Sequence, residues 1–284
     1  MKKVALVALV CFLVGIVGTI AFGHQVFSFE SEKDSVDQSK TIEGSKITGI
    51  DIDVDVADVT VTSTDGKDIE VHLRGKAIES SYQNLNFNVE QQDEILSITV
   101  ESKKDFDFSI PSLFNFNGFG GLDLEVKVPE KMYETVDIRS NVGDQTINAL
   151  AVKNFMARSD VGDITLERLE SEEASIYSNV GDVDVVAGQG GYTIETDTGS
   201  VELDLLALKG NTHIQSDIGD VDVSLHESPT NFVLDLQSDI GDVSVKNING
   251  FQDSTGKDLF VEIGSGGPVL EVVTDIGEIK VSGN

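Results

Sequence analysis

The sequence is poor in the residues on which most catalytic and metal chemistry depends. It has one cysteine, four histidines, and 20 basic residues against 50 acidic ones. A single cysteine excludes a disulfide framework within the chain. That cysteine, Cys11, lies in an uncharged apolar run and lacks the small residue just before it that a lipoprotein signal requires. His24, His72, His213 and His226 are isolated, without the spacing of zinc ligands. There is no phosphate loop, nucleophile elbow or zinc motif. The shortage of Lys and Arg leaves a net charge of −30, which repels nucleic acid and anionic headgroups. It favours cations, basic peptides or plain solubility.

Long hydrophobic runs are also scarce, with one exception. Lys2 and Lys3 precede the uncharged stretch Val4 to Phe22, 19 residues long, which just spans a bilayer as a helix. The two lysines place the N-terminus in the cytoplasm and everything after His24 outside, so the sequence predicts a single-pass cell-membrane protein with an extracytoplasmic C-terminal domain. A cleaved signal peptide is the competing reading, since Ala21-Phe22-Gly23 is a passable cleavage site. The expected organisation is a transmembrane signal-anchor over 1–23, a polar spacer over 24–46, an irregular β region over 47–128, and a repeat region over 129–284. Without the anchor the charge is 18 basic against 50 acidic residues, or −32.

What the chain does have is a repeat. Ser-Asn-Val-Gly-Asp at Ser140 returns as Ser-Asp-Val-Gly-Asp at Ser159, Ser-Asn-Val-Gly-Asp at Ser178 and Thr-Asp-Thr-Gly-Ser at Thr196. It goes on as Ser-Asp-Ile-Gly-Asp at Ser216 and Ser238, and Thr-Asp-Ile-Gly-Glu at Thr274. The glycines stand at 143, 162, 181, 199, 219, 241 and 277, spaced by 19, 19, 18, 20, 22 and 36. Aligned on them, the positions seven, five and one before the glycine, and two and four after it, are nearly all apolar. Within each arm apolar and polar residues alternate, as in a strand with one buried face. The parity changes at Gly-Asp, so the chain turns a corner there and both arms face one core. Glycine supplies the backbone freedom, and Asp or Asn the local hydrogen bonds of a bend.

One such unit cannot bury its own apolar face, but stacked units can. The expected fold is all-β: a parallel β-solenoid (β-helix) of about 19-residue coils, preceded by a less regular β cap and one N-terminal transmembrane helix. Val54 to Val61 fits the repeat with Ala57 in the glycine place, a degenerate first coil or a cap. Two interruptions stand out, Ser102 to Gly121 and Asn247 to Gly267. Either suits the covering of an open end. The first carries Phe106, Phe108, Phe114, Phe116 and Phe119 and reads equally as a contact for a partner or membrane.

The turn carboxylates are the one constellation with chemistry in it. Asp144, Asp163, Asp182, Asp220 and Asp242 follow the glycines, and Asn141, Asp160, Asn179, Asp197, Asp217, Asp239 and Asp275 stand two before them. Stacking would turn these into ladders whose like charges repel, and backbone amides, splayed rotamers or a bound cation must offset this. Calcium suits such clusters; the plainer reading is that Asp and Asn form the turns. The spacing departs from the nonapeptide of calcium β-rolls. No other cofactor is expected.

With these columns in view, the chain resembles the bacterial putative-adhesin family of repeat β proteins, including LiaG-like membrane-anchored proteins of envelope-stress operons. The recurring Ser-Asp-Val-Gly-Asp-Val-x-Val units and the Ile52-Asp53-Val54 opening carry the resemblance over about Ile47 to Asn284. It implies a surface or adhesin-like role and a single N-terminal anchor, with no catalytic residues to transfer. The sequence therefore points to a noncatalytic scaffold presenting an acidic β surface to an envelope protein or wall polymer, in a setting of envelope stress. A surface adhesin and a polysaccharide-active β-helix enzyme are the alternatives. The latter requires carboxylates out of phase with the repeat.

Overall fold

The alternation of apolar and polar residues on either side of each Gly-Asp corner is realised as strand pairs. In the computed structural model, which describes residues 33–78, 85–102, 119–227, 230–248 and 251–283, strands Met132–Val142, Ala151–Val161 and Glu170–Val180 lead into corners. Gln145–Asn148 and Ile164–Glu167 leave them. Val183–Thr198 does both, leaving one corner and running on into the next over 16 residues. A leading arm, its corner and its trailing arm make one rung.

Neighbouring rungs pair in parallel and in register. Val136 lies beside Phe155, which lies beside Ala174, which lies beside Tyr192. On the trailing arms Ile147, Leu166, Val185 and Leu203 line up in the same way. These columns are the core: Ile138, Ala157, Ile176, Ile194 and Ile214 have 0% of their surface exposed. Each fully buried Val, Leu or Ile contributes about 1.5–3 kcal/mol.

Rungs do not stack in the order of the chain. At the carboxy end, Val269–Ile276 and Ile279–Gly283 insert between the rung of Thr212–Ile218 and Val221–Glu227 and the rung of Phe232–Ile240 and Val243–Lys246. At the amino end, Gly49–Val56 and Asp58–Thr64 insert between the rung of Ile95–Ser102 and Phe119–Pro129 and the rung that begins at Met132. Antiparallel strands finish both ends. Leu85–Gln92 lies on Ile95–Ser102 and Asp68–Ile78 on Phe119–Pro129. Asp258–Ile263 lies on Phe232–Ile240 and Ser254–Gly256 on Val243–Lys246.

The expected parallel β-solenoid with a separate β cap and a transmembrane helix is corrected by this topology. The fold is all-β, with 22 strands among the described residues joined in one hydrogen-bonded, nearly closed, barrel-like sheet that mixes parallel and antiparallel pairs. The physical reason is that aligned columns report which residue class lies at each level. They carry no record of the order of levels or of strands that turn back at the ends. Lys33–Glu43, expected within the polar spacer, is a strand paired with Asp68–Ile78, and Val36 on it is buried.

The single-pass membrane location is corrected too. Among the described residues no helix is long and apolar enough to cross a membrane, and the one helical element is the 3-10 turn Gly44–Lys46. The apolar run that would have supplied the helix, within 1–23, lies outside the described residues.

Candidate functional site

Each corner rests directly on the backbone of the next. A Cβ added to Gly162 would lie 2.3 Å from the Gly143 carbonyl oxygen, and one on Gly181 would lie 2.2 Å from that of Gly162. On Gly277 it would lie 1.9 Å from the Gly219 oxygen, and on Gly241 1.9 Å from the Gly277 oxygen. Glycine is therefore demanded by backbone packing as much as by its torsions, and the corners form one straight column. The Ala57 carbonyl closes that column against Gly143, 2.2 Å from the same notional Cβ.

Around the glycine the side chains sort by level. The Ser or Thr three before it points inward and is buried in every repeat, from Ser140 to Thr274. In four repeats its hydroxyl donates to a corner carbonyl, Ser159 Oγ to Gly162 O at 3.1 Å, Ser178 to Gly181 O at 3.2 Å, Ser238 to Gly277 O at 2.9 Å and Thr274 to Gly219 O at 3.3 Å, whereas the hydroxyls of Ser140, Thr196 and Ser216 are buried without a hydrogen-bond partner. The apolar residue one before the glycine was expected inside by strand parity, and the structure places it outside. Val161 is 47% exposed, Val180 50%, Ile218 51%, Ile276 46% and Ile240 64%. The corner begins at the residue two before the glycine, so two successive side chains face solvent and the alternation breaks early. In stack order this outer column reads Val142, Val161, Val180, Thr198, Ile218, Ile276, Ile240.

Two polar columns flank it. After the glycine, several carboxylates cap the next corner: Asp144 Oδ1 accepts the Asp163 amide at 2.9 Å, Asp163 Oδ1 the Asp182 amide at 2.9 Å, and Asp182 Oδ1 the Ser200 amide at 2.8 Å. Asp58 serves Asp144 at 3.0 Å and Asp220 serves Glu278 at 2.8 Å. On the other side, Asn141 Nδ2 donates to Asp55 Oδ1 at 3.2 Å and Asn179 Nδ2 to Asp160 Oδ1 at 3.1 Å. Farther out on the faces, burial holds the Asp53, Asp137 and Asp184 carboxyls above the usual carboxylate range. Arg139 opposes the rise at Asp53 and Asp137, while Glu167 and Asp204 add to it at Asp184.

Toastrack DUF4097 matches residues 47–185 and again 132–282. The chain belongs to the Toastrack DUF4097 family. The two matches overlap, as expected of a stack whose levels repeat. No curated protein matches the Toastrack chain. Among solved structures it is similar to a putative adhesin from Bacteroides fragilis, at 11% identity and a TM-score of 0.44, with 89% of this chain and 99% of that one covered. A putative cell adhesion protein from Clostridium sporogenes is similar at 13% identity and a TM-score of 0.39, covering 88% and 100%. A putative lipid binding protein from Parabacteroides distasonis is similar at 13% and 0.34, covering 87% and 96%.

On the Toastrack fold, the carboxylates singled out for calcium, Asp144, Asp163, Asp182, Asp220 and Asp242, are all exposed on the outer corner, in one column. Those at 144, 163, 182 and 220 spend one oxygen on a neighbouring amide. Among the described residues no group of three or more His, Cys, Asp or Glu is placed to hold a metal ion. Phe106, Phe108, Phe114 and Phe116 lie outside the described residues, as does the side chain of Phe119. A recess of about 260 Å³ opens where Ser200 interrupts the acidic column, lined by Asp163, Asp182, Asp184 and Glu202 among others. The three histidines among the described residues meet carboxylates: His72 Nε2 and Asp37 Oδ1 at 2.7 Å, His213 Nδ1 and Glu271 Oε2 at 3.1 Å, and His226 Nε2 and Asp204 Oδ1 at 2.8 Å.

Sequence reasoning overlooked the outer aliphatic column as a surface. The signal that would have found it is the adjacent pair of non-alternating positions in the corners, where Asp or Asn and then Val or Ile, with Thr198 the one exception among the seven, precede a glycine that has no side chain to cover them.

Proposed function

We propose that this Toastrack chain is a noncatalytic scaffold that presents a rigid acidic β surface to a protein or wall polymer of the cell envelope. The observation that supports it is the pinning of the outer carboxylates. Bonds from one corner's Asp to the next corner's amide hold charge at fixed intervals of about 4.8 Å along the stack. A surface whose charges are already ordered binds with less loss of side-chain freedom than a flexible one. These carboxylates stay in phase with the repeat and serve the backbone, which favours presentation over general acid or base work. The resemblance of the corner units to LiaG-like proteins supports a partner within an envelope-stress system.

The test is capture from crosslinked native envelopes by the full-length chain and by a variant with Asp144, Asp163, Asp182 and Asp220 changed to Asn, which keeps an oxygen for each amide and removes the charge. One defined partner lost from the variant and from wild type in high salt is the expected result. Identical capture by both proteins, or turnover of a wall glycan by the purified chain, would overturn the reading.

A further inference from the structure

The outer column differs along its length in a way that specifies a ligand. From Thr198 onward the exposed aliphatic residues are Ile218, Ile276 and Ile240 on three consecutive rungs, 51%, 46% and 64% exposed. Singly, exposed apolar residues are ordinary; in an unbroken line they mark a contact surface. The line runs between two acidic columns. Asp217, Asp275 and Asp239 stand on one side, and Asp220, Glu278 and Asp242 on the other.

Charge decides what can lie there. A second copy of the chain would set like columns face to face, at a cost of several kcal/mol, and phosphate polymers and anionic headgroups meet the same repulsion. A cationic ligand with an apolar stripe meets attraction on both flanks. Spacing then decides its conformation. An extended strand laid along the stack returns a side chain to the same face about every 6.7 Å, against rungs about 4.8 Å apart. Over three rungs it falls out of step by roughly 4 Å. A helix returns one per turn of about 5.4 Å and slips by only about 1 Å over the same distance. Lys and Arg beside such a stripe have stems long enough to pass the isoleucines and reach the carboxylates.

We propose that the Ile218–Ile276–Ile240 line, with its two acidic flanks, is a docking site for a cationic amphipathic helix, a peptide or a segment of a protein partner. This rests on the scaffold reading and specifies its partner chemistry.

The probe is an 18-residue synthetic Leu/Lys peptide of helical period, dye-labelled and titrated with the full-length chain. A peptide of the same composition rearranged to strand period is the control. Two variants carry replacements that the chain already uses at the same level. One changes Ile218, Ile240 and Ile276 to Thr, as at Thr198; the other changes Asp217, Asp239 and Asp275 to Asn, as at Asn141 and Asn179. Cooperative thermal melts and a far-UV circular-dichroism spectrum like that of the wild type establish that both fold. The expected result is binding of the helical peptide at physiological salt, weakened at least tenfold by the Thr variant and weakened with a flatter salt dependence by the Asn variant. Equal binding by the Thr variant, equal binding of the strand-period peptide, or failure of the helical peptide to bind at 100-fold excess would overturn the inference. If the peptide fails while the protein with Asp144, Asp163, Asp182 and Asp220 changed to Asn still loses its envelope partner, the helix site falls and the scaffold stands. If the peptide binds as expected while envelope capture is indifferent to the carboxylates, the scaffold reading falls instead.

Discussion

The two halves of the stack share a corner and differ in what they show the solvent. Toward the amino end the polar column ahead of the glycine alternates Asp55, Asn141, Asp160, Asn179, and each Asn amide donates to an Asp below it. Toward the carboxy end the same level is Asp197, Asp217, Asp275, Asp239, with no neutral member. The exposed aliphatic residue is Val in the first half and chiefly Ile in the second. Adjacent carboxylates one rung apart repel by roughly 0.9 kcal/mol in water-like dielectric before screening. Glycine, the buried hydroxyl and the inward columns are the same in both halves, so they set the backbone. The two outermost positions vary freely over it and carry what distinguishes one end from the other.

If the cores are equivalent, Ile176→Ala and Ile214→Ala should each cost 2–5 kcal/mol, with similar denaturant midpoints; a large disparity breaks the comparison at its base. Next in size, Gly181→Ala and Gly277→Ala should destabilise by about 1–3 kcal/mol or more, since both would drive a methyl into a neighbouring carbonyl. The acidic columns give the sharper contrast. Asn179→Asp should lower stability by about 1 kcal/mol at low salt, and Asp217→Asn should raise it by a similar amount, both effects shrinking in 1 M NaCl. Calcium and magnesium at equal millimolar concentrations should then raise the melting temperature alike; a larger calcium shift would reveal coordination at Asp144, Asp163, Asp182, Asp220 or Asp242.

The smallest effect is the pH response of the faces. Burial raises the folded-state pKa of Asp53, Asp137 and Asp184 above the ordinary 3.8. The native state therefore holds protons that the unfolded chain has released. These groups favour folding increasingly as pH falls through their raised pKa values toward 3.8, and that contribution is lost as pH rises through the same range. Thermal melts followed as the pH is lowered from 7 toward 4 should show a small gain in stability on acidification, diminished in a protein with Asp53 and Asp184 changed to Asn.

Much of the rung was legible in the sequence. The columns seven and five before the glycine, and two and four after it, are buried as their periodicity requires, and Gly-Asp is the corner. Strand parity failed at the last residue before the glycine, because alternation extrapolated into a bend assumes a strand that has already ended. The buried Ser or Thr was in plain view as the first letter of every repeat, but a polar residue facing inward has meaning only once the corner carbonyl it serves is known. Asp217, Asp239 and Asp275 read as members of one column without revealing that 275 lies between the other two. Alignment places residues on a level and is silent on which level is next. For the carboxylates singled out for calcium, spacing alone does not disclose that one oxygen of Asp144, Asp163, Asp182 and Asp220 is already held by an amide.

Because the rung of Val269–Ile276 and Ile279–Gly283 follows that of Phe232–Ile240 in the chain yet lies inside it in the stack, the levels cannot be laid down in the order in which they are synthesised. Phe232–Ile240 is produced before Val269–Ile276, yet in the finished stack it touches Thr212–Ile218 only through that later strand. The growing chain must either leave a slot one strand wide or first form a tempting wrong pair, Ile218 against Ile240, in the same parallel register. Seven similar corners make such mispairing easy and its reversal slow. Val269–Ile276 is therefore a constraint on the order of assembly: until it is made, Thr212–Ile218 and Phe232–Ile240 have no route to their finished neighbours.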